Sequence, residues 1–335
     1  MHDIRFSIII PIYNRPNEAE EILSSLALQD DKDFEVVIIE DGSTLKCDKV
    51  CEKYKNSINI QYFFKENSGP GDSRNYGMRV AKGNYFIILD SDCIIPSDYI
   101  SKVKRNLADN YVDAWGGPDS AHESFTPLQK GINYCMTSLF TTGGIRGGSE
   151  KIGKFQPRSF NMGISKEAFE KTGGFGRVHP GEDPDLTFRI WKAGYKTTLF
   201  SNAHVFHKRR IDWGKFAKQM YKFGVVRVFL NKWHPGSGKI TYWFPAAFSV
   251  GLIFCIAIAY WFPWLLLAYA LYLLMLFSDA AMRTKSLWIA ILALIAVFVQ
   301  FFSYGRGFLL SQLKINIFGK DPEKAFPGFF FKVKN

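Results

Sequence analysis

Apolar runs and helical stripes alternate along the first 240 residues. "FSIIIPIY" at residues 6–13 is an unbroken apolar run, the mark of a strand buried on both faces. Residues 17–28 set Ala19, Ile22, Leu23 and Leu26 on one side of a helix. "FEVVIIEDGS" predicts a second strand ending in Asp41-Gly42-Ser43, residues 46–55 a polar helix, and "INIQYFF" a third strand. "NSGPGDSRNYGMRVAKG" predicts a glycine-rich turn and then a helix closed by Gly83, and "NYFIILDSD" a fourth strand. Strand and helix alternating with short connections predict an α/β fold, a mostly parallel sheet with helices on both faces. Ligands of such sheets bind at the carboxyl ends of the strands, where Asp41, Asp90 and Asp92 fall.

Beyond Lys239 the pattern changes. Residues 243–277 and 286–304 carry no charge and are rich in Trp, Phe and Leu, which predicts C-terminal membrane helices. A span needs about 20 residues. Residues 243–262 meet that length, 264–277 are short after Pro263, and 286–304 are just sufficient. Three crossings would place the tail beyond Gly305, with six basic and two acidic residues, outside the cell, against the positive-inside rule. A re-entrant or interfacial middle segment restores parity. Just ahead, Trp213, Phe216, Met220 and Phe223 alternate with Lys215, Lys218 and Lys222, a basic amphipathic helix that lies in a membrane interface or packs on the domain. The domains expected are a catalytic one over 1–210, this helix and a linker over 211–240, two or three membrane segments over 241–310 and a basic tail over 311–335. The run at 6–13 is too short for a signal peptide and contains Pro11, so the catalytic part is expected in the cytosol.

Composition narrows the partners. A net charge of +11 fits nucleic acid, an anionic membrane or phosphate-bearing substrates. With an apolar tail attached, the membrane and phosphates are favoured, and no nucleic-acid motif occurs. Five scattered cysteines without zinc spacing agree with a reducing compartment.

The chemistry concentrates in two stretches. Asp90 and Asp92 end an apolar strand two residues apart, so both project to the same side. Two such carboxylates repel unless a cation neutralises them, and hard Mg²⁺ or Mn²⁺ also binds substrate phosphates. In "GEDPDLTFRIWKAGY", Asp183 reads as a helix N-cap, Pro184 as the first helical residue and Gly194 as the stop. Glu182, Asp183 and Asp185 are then either favourable acids at a helix start, or one such carboxylate is placed there as a general base. His207 follows a strand over 201–206 and is a candidate third metal ligand. Lys208, Arg209 and Arg210 after it suit phosphate or lipid headgroups. The glycine-rich, basic stretch 141–165 is an active-site loop or a connector, and it lacks the ending of a P-loop.

In order, "SIIIPIYNRP", "IIEDGS", "GPGDSRNYGM", "ILDSD", "NMGISKEAFEKTGGF" and "GEDPDLTFRIWKAGY" resemble the family 2 glycosyltransferases, in particular membrane-attached members that build bacterial surface polysaccharides and glycolipids. The resemblance covers roughly residues 5–230. It implies a GT-A fold and inverting transfer of a sugar from a nucleotide-diphosphate donor, a UDP-sugar foremost, to a lipid-linked or glycan acceptor. The setting it implies is the cytoplasmic face of a bacterial inner membrane, in contact with its lipids. Carried over by position, Pro11, Tyr13 and Asp41 would hold the nucleotide base, and Arg74 would lie near the ribose or diphosphate. Asp90 and Asp92 would form the Asp-x-Asp motif, with Asp92 the direct ligand of Mn²⁺ or Mg²⁺ and His207 a further one. Asp183 would be the catalytic base. Processive synthases of the family carry Gln-x-x-Arg-Trp; here Gln219 is followed by Lys222 and Phe223, which favours single-sugar transfer over a processive synthase. An inactive membrane scaffold is the non-enzymatic alternative, and retention of Asp41, Asp90, Asp92 and Asp183 argues against it.

Overall fold

The computed structural model describes residues 4–120, 125–142, 155–207 and 212–331. The chain divides into two units, one of residues 1–122, 150–208 and 328–335, the other of 123–149 and 209–327.

The first unit opens with β1 (Phe6–Ile12), α1 (Pro16–Ala27), β2 (Phe34–Asp41), α2 (Asp48–Tyr54), β3 (Asn59–Lys65), α3 (Pro70–Val80) and β4 (Tyr85–Leu89). These are the elements expected from the apolar pattern, with ends shifted by a few residues. After them come β5 (Cys93–Ile94), α4 (Tyr99–Asp109), β6 (Ala114–Gly116) and β7 (Asp119–Ser120). Separating these from the rest of the unit, α5 (Pro127–Thr137) and α6 (Leu139–Thr142) belong to the second unit. The first unit resumes with β8 (Asn161–Ser165), α7 (Lys166–Thr172), α8 (Glu182–Lys192), β9 (Thr197–Leu199) and β10 (Val205–His207).

Seven strands form one sheet in the order β3-β2-β1-β4-β8-β6-β9. β1, β2, β3 and β4 pair in parallel, whereas β8 runs antiparallel to β4 and β6. The period-two alternation of strands explains the unbroken apolar runs. Ile8 and Ile10 pack on one face with Ile22, Leu23, Ile100 and Val103, while Ile9 packs on the other with Met78, Phe169 and Ile190. Each such buried isoleucine contributes roughly 1.5–3 kcal/mol. The strand order reverses between β1 and β4, so the crevice at their carboxyl ends is where a ligand of this topology belongs.

The second unit adds α9 (Trp213–Trp233), α10 (Phe244–Ala257), α11 (Leu265–Thr284), α12 (Leu287–Ser311) and α13 (Pro322–Ala325). Asp212 caps α9 by accepting from Lys215 N at 2.7 Å. Segments 240–257, 265–284 and 287–317 have mean hydropathies of 1.8, 1.9 and 2.3, long and apolar enough to cross a membrane. The middle one exceeds its uncharged stretch because the helix runs on through Asp279 and Arg283, which pair at 2.9 Å. Side chains such as Val250, Ile253, Phe254, Leu267, Leu271 and Leu274 stay exposed, as a lipid-facing surface requires. The apolar side of α9 packs on α12. A Cβ at Gly224 would lie 2.2 Å from the Tyr304 carbonyl oxygen, so the two backbones touch there and only glycine fits.

Candidate functional site

The crevice is built from strand ends and two helix starts. Asp41 is the last residue of β2, and its buried carboxylate accepts from Lys65 Nζ at 2.5 Å and from the Ser68 and Gly69 backbone N–H groups at 2.9 Å each. That anchors the turn before α3. Gly69 has φ +93°, a conformation that other residues adopt at a cost, which explains the glycine in "SGPG". Pro11 lies in β1, paired in register with Ile39, and Tyr13 just past the strand is exposed. Next to it, Asn14 Oδ1 accepts from the Thr44 and Leu45 backbone N–H groups at 2.8 and 3.0 Å, tying the loops after β1 and β2 together.

Arg74, on α3, is buried. One guanidinium nitrogen donates to Asp90 Oδ1 at 2.7 Å and another to Glu182 Oε1 at 3.3 Å. The guanidinium also lies 5.3 Å from the centroid of the Phe175 ring. Asn75 clamps this arrangement, donating to the Phe175 carbonyl at 2.9 Å and accepting from its N–H at 2.8 Å. Burial opposes the Arg74 charge, but Asp90, Glu182 and Asp183 outweigh it and push its pKa further up.

α8 begins at Glu182, with Gly181 as its N-cap, so Asp183 sits in the first turn and is not the cap. The glycine at φ +117° has no side chain to cap with, and Glu182 takes the position facing Arg74. Desolvation works against ionised Glu182, yet His179, 2.9 Å away, and Arg74 hold its carboxyl down at about 2. Asp183 is opposite in character. Burial, and then the adjacent Glu182 charge, raise its carboxyl to about 6, against the pull of Arg74 and Arg158. Its Oδ1 is enclosed and has no hydrogen-bond partner among the described residues. Two neighbouring carboxyls with pKa values pushed apart are the signature of divided acid–base roles.

Asp92 follows β4, and its Oδ2 lies 3.2 Å from Arg15 Nη1. Arg15 remains a displaceable partner, because 37% of its side chain is exposed. Two carboxylates at one strand end are the oxygen donors that a hard divalent cation takes, together with phosphate oxygens and water. His207 ends β10, whose register pairs it with Cys93, the residue after Asp92; its side chain lies outside what is described. Among the described residues no group of three or more His, Cys, Asp or Glu is arranged to hold a metal. Lys208, Arg209, Arg210 and residues 143–154 of the 141–165 stretch also lie outside the described residues.

Thus Asp41, Arg74, Asp90, Asp92 and Asp183 all belong to the first unit. Sequence reasoning missed Arg15, Lys65, Asn75 and Phe175 as their supports. Glu182 was legible only as one of three acids at the helix start, not as the partner of Arg74.

Comparison with known proteins follows the same lines. Residues 7–173 match the sequence model of Glycosyl transferase family 2. An uncharacterized glycosyltransferase of Rickettsia felis is 40% identical over 110 residues, 33% of this chain and 18% of that one. The poly(ribitol-phosphate) beta-N-acetylglucosaminyltransferase TarS of Staphylococcus aureus is 37% identical over 114 residues, 33% of this chain and 19% of TarS. The chain thus spans about a fifth of the length of these relatives. Among solved structures, the mannosyltransferase PcManGT from Pyrobaculum calidifontis, in complex with GDP-Man and Mn²⁺, superposes with a TM-score of 0.58 at 19% identity, covering 96% of this chain and 89% of PcManGT.

Proposed function

Because the chain belongs to glycosyl transferase family 2, we propose that it is an inverting glycosyltransferase that moves a sugar from a nucleotide-diphosphate donor, a UDP-sugar foremost, to an acceptor hydroxyl. The acceptor is a lipid-linked or glycan molecule at the cytoplasmic face of a bacterial inner membrane. The observation that carries this reading is Asp183: a carboxyl raised to about 6, with one oxygen enclosed and unbonded among the described residues, beside Arg74 and Asp90.

Asp183 takes the proton from the acceptor hydroxyl, whose oxygen attacks the anomeric carbon from the face opposite the nucleoside diphosphate. The carbon–oxygen bond to the diphosphate breaks, and that group leaves with the electron pair. A base near neutrality contributes about 10²–10⁴-fold. Arg74, fixed by Glu182 and Asp90, supplies positive charge where the diphosphate accumulates negative charge. Asp92, with Asp90 and His207, would hold Mn²⁺ or Mg²⁺, which neutralises leaving-group charge. Tyr13 and Pro11 would flank the nucleotide base, and Asp41 Oδ2, with one donor among the described residues, has a further acceptor position for it.

The membrane part fits an acceptor carried on lipid. β10 and residues 328–331 both belong to the first unit, so the chain between them crosses the bilayer an even number of times. One of the three apolar helices then fails to cross fully, which keeps the basic tail on the catalytic side and satisfies the positive-inside rule. Incubating detergent-purified protein with UDP-, GDP- and dTDP-sugars and Mn²⁺ tests the activity. Release of nucleoside diphosphate from one of them supports it, and no release from any contradicts it.

A further inference from the structure

The last described residues return to the first unit. Phe331 N donates to the Arg177 carbonyl at 3.1 Å, His179 N donates to the Phe329 carbonyl at 2.8 Å, and Phe330 bridges Val178 in antiparallel fashion. The segment thereby zips onto the loop 177–179 that leads into Glu182 and Asp183. The Phe331 ring is wedged between two parts of the site. On one side it lies flat against Gly69, where an added Cβ would come within 2.4 Å of the ring. On the other its centroid is 5.9 Å from that of His179, the residue bonded to Glu182.

We propose that the C-terminal segment 328–331 is a built-in part of the active site, with Phe331 a positioning residue that holds His179 and Glu182, and through them the base Asp183. This rests on the assignment of Asp183 as base. The donor side depends on the tail less. Asp41 is held by Lys65 and two backbone N–H groups without it, whereas the 177–179 loop shares two backbone hydrogen bonds with the tail, accepting one and donating the other. Loss of the ring therefore falls on turnover more than on donor affinity. Misplacing a catalytic group by about 1 Å costs up to ~10²-fold.

The test uses the full-length protein in detergent and the sugar nucleotide it turns over. Phe331→Ala is expected to lower kcat about tenfold or more, with donor KM within about twofold and the unfolding midpoint held, while Phe331→Tyr, which keeps the ring, restores turnover. A merely structural role would lower the midpoint and yield and leave kcat per folded molecule unchanged, and that result overturns the proposal. An increase in kcat overturns it too, since the segment would then be obstructive. If the alanine variant does not fold, Phe331→Leu, which fills the space without an aromatic face, carries the same kcat and KM readout. Failure of the underlying assignment looks different: Asp183→Asn would then stay active whatever Phe331 does.

Discussion

Arg74 and Glu182, 108 residues apart in the chain, meet at 3.3 Å with both side chains buried. This contact joins the start of α3 to the start of α8 and so sets where Asp183 stands relative to the Asp90–Asp92 pair. Lysine cannot reproduce it, because a single ammonium does not reach Asp90 and Glu182 with the geometry of a guanidinium fork. Arg74→Lys is expected to lose about 10–100-fold in kcat with modest loss of stability. Arg74→Ala leaves Glu182 buried without its guanidinium partner, with His179 alone beside it, and the unfolding free energy should fall by roughly 3–5 kcal/mol. Denaturant unfolding and turnover measured together separate the two effects.

The acidic limb of the rate profile should report Asp183. A base must be ionised, so kcat/KM is expected to fall about tenfold per pH unit below pH about 6, the value burial gives that carboxyl. The stability consequence has the opposite sense from an ordinary carboxylate. The folded-state pKa is raised above the unfolded one, so stability from protonated Asp183 is fully present below pH about 4 and lost as pH rises through about 6. Asp183→Asn should then stabilise the protein at pH 8, on the order of 1–2 kcal/mol after discounting for partial exposure, and not at pH 4. Thermal midpoints at the two pH values check the sign.

Chelation should abolish turnover and Mn²⁺ or Mg²⁺ restore it. Asp92→Asn is expected to weaken Mn²⁺ binding in the presence of nucleoside diphosphate by tenfold or more, read by calorimetry independently of activity. Equal Mn²⁺ affinity in the variant would remove Asp92 from the metal site.

Membrane parity is checked by labelling. Gly328 is exposed, and nothing lies within 4 Å of a Cβ built there, so Gly328→Cys is structurally harmless. In sealed vesicles, an impermeant maleimide should reach Gly328→Cys and Lys53→Cys from the same side. Labelling from opposite sides would mean an odd number of crossings.

Much of this architecture is legible in the residues themselves. β1 to β4 announce themselves because a sheet covered on both faces needs continuous apolar runs, and Asp41, Asp90 and Asp92 stand out as charges ending such runs. The supports are silent for a physical reason. Asn75 and Phe175 meet across 100 residues, and Arg15 reaches Asp92 across 77, contacts that no local period encodes. Asp183 could be placed near a helix start, but its character as a base came from burial and from Glu182, both tertiary. Nor does any composition shift mark α5 and α6, at 127–142, as part of the second unit, or residues 328–331 as part of the first.

The most direct measurement is turnover of Asp183→Asn beside its donor affinity. If this carboxylate removes the acceptor proton, kcat falls by about 10²–10⁴-fold while the nucleotide-sugar dissociation constant stays within a few-fold of wild type. A variant that keeps more than about a tenth of wild-type kcat would show that the proton goes elsewhere.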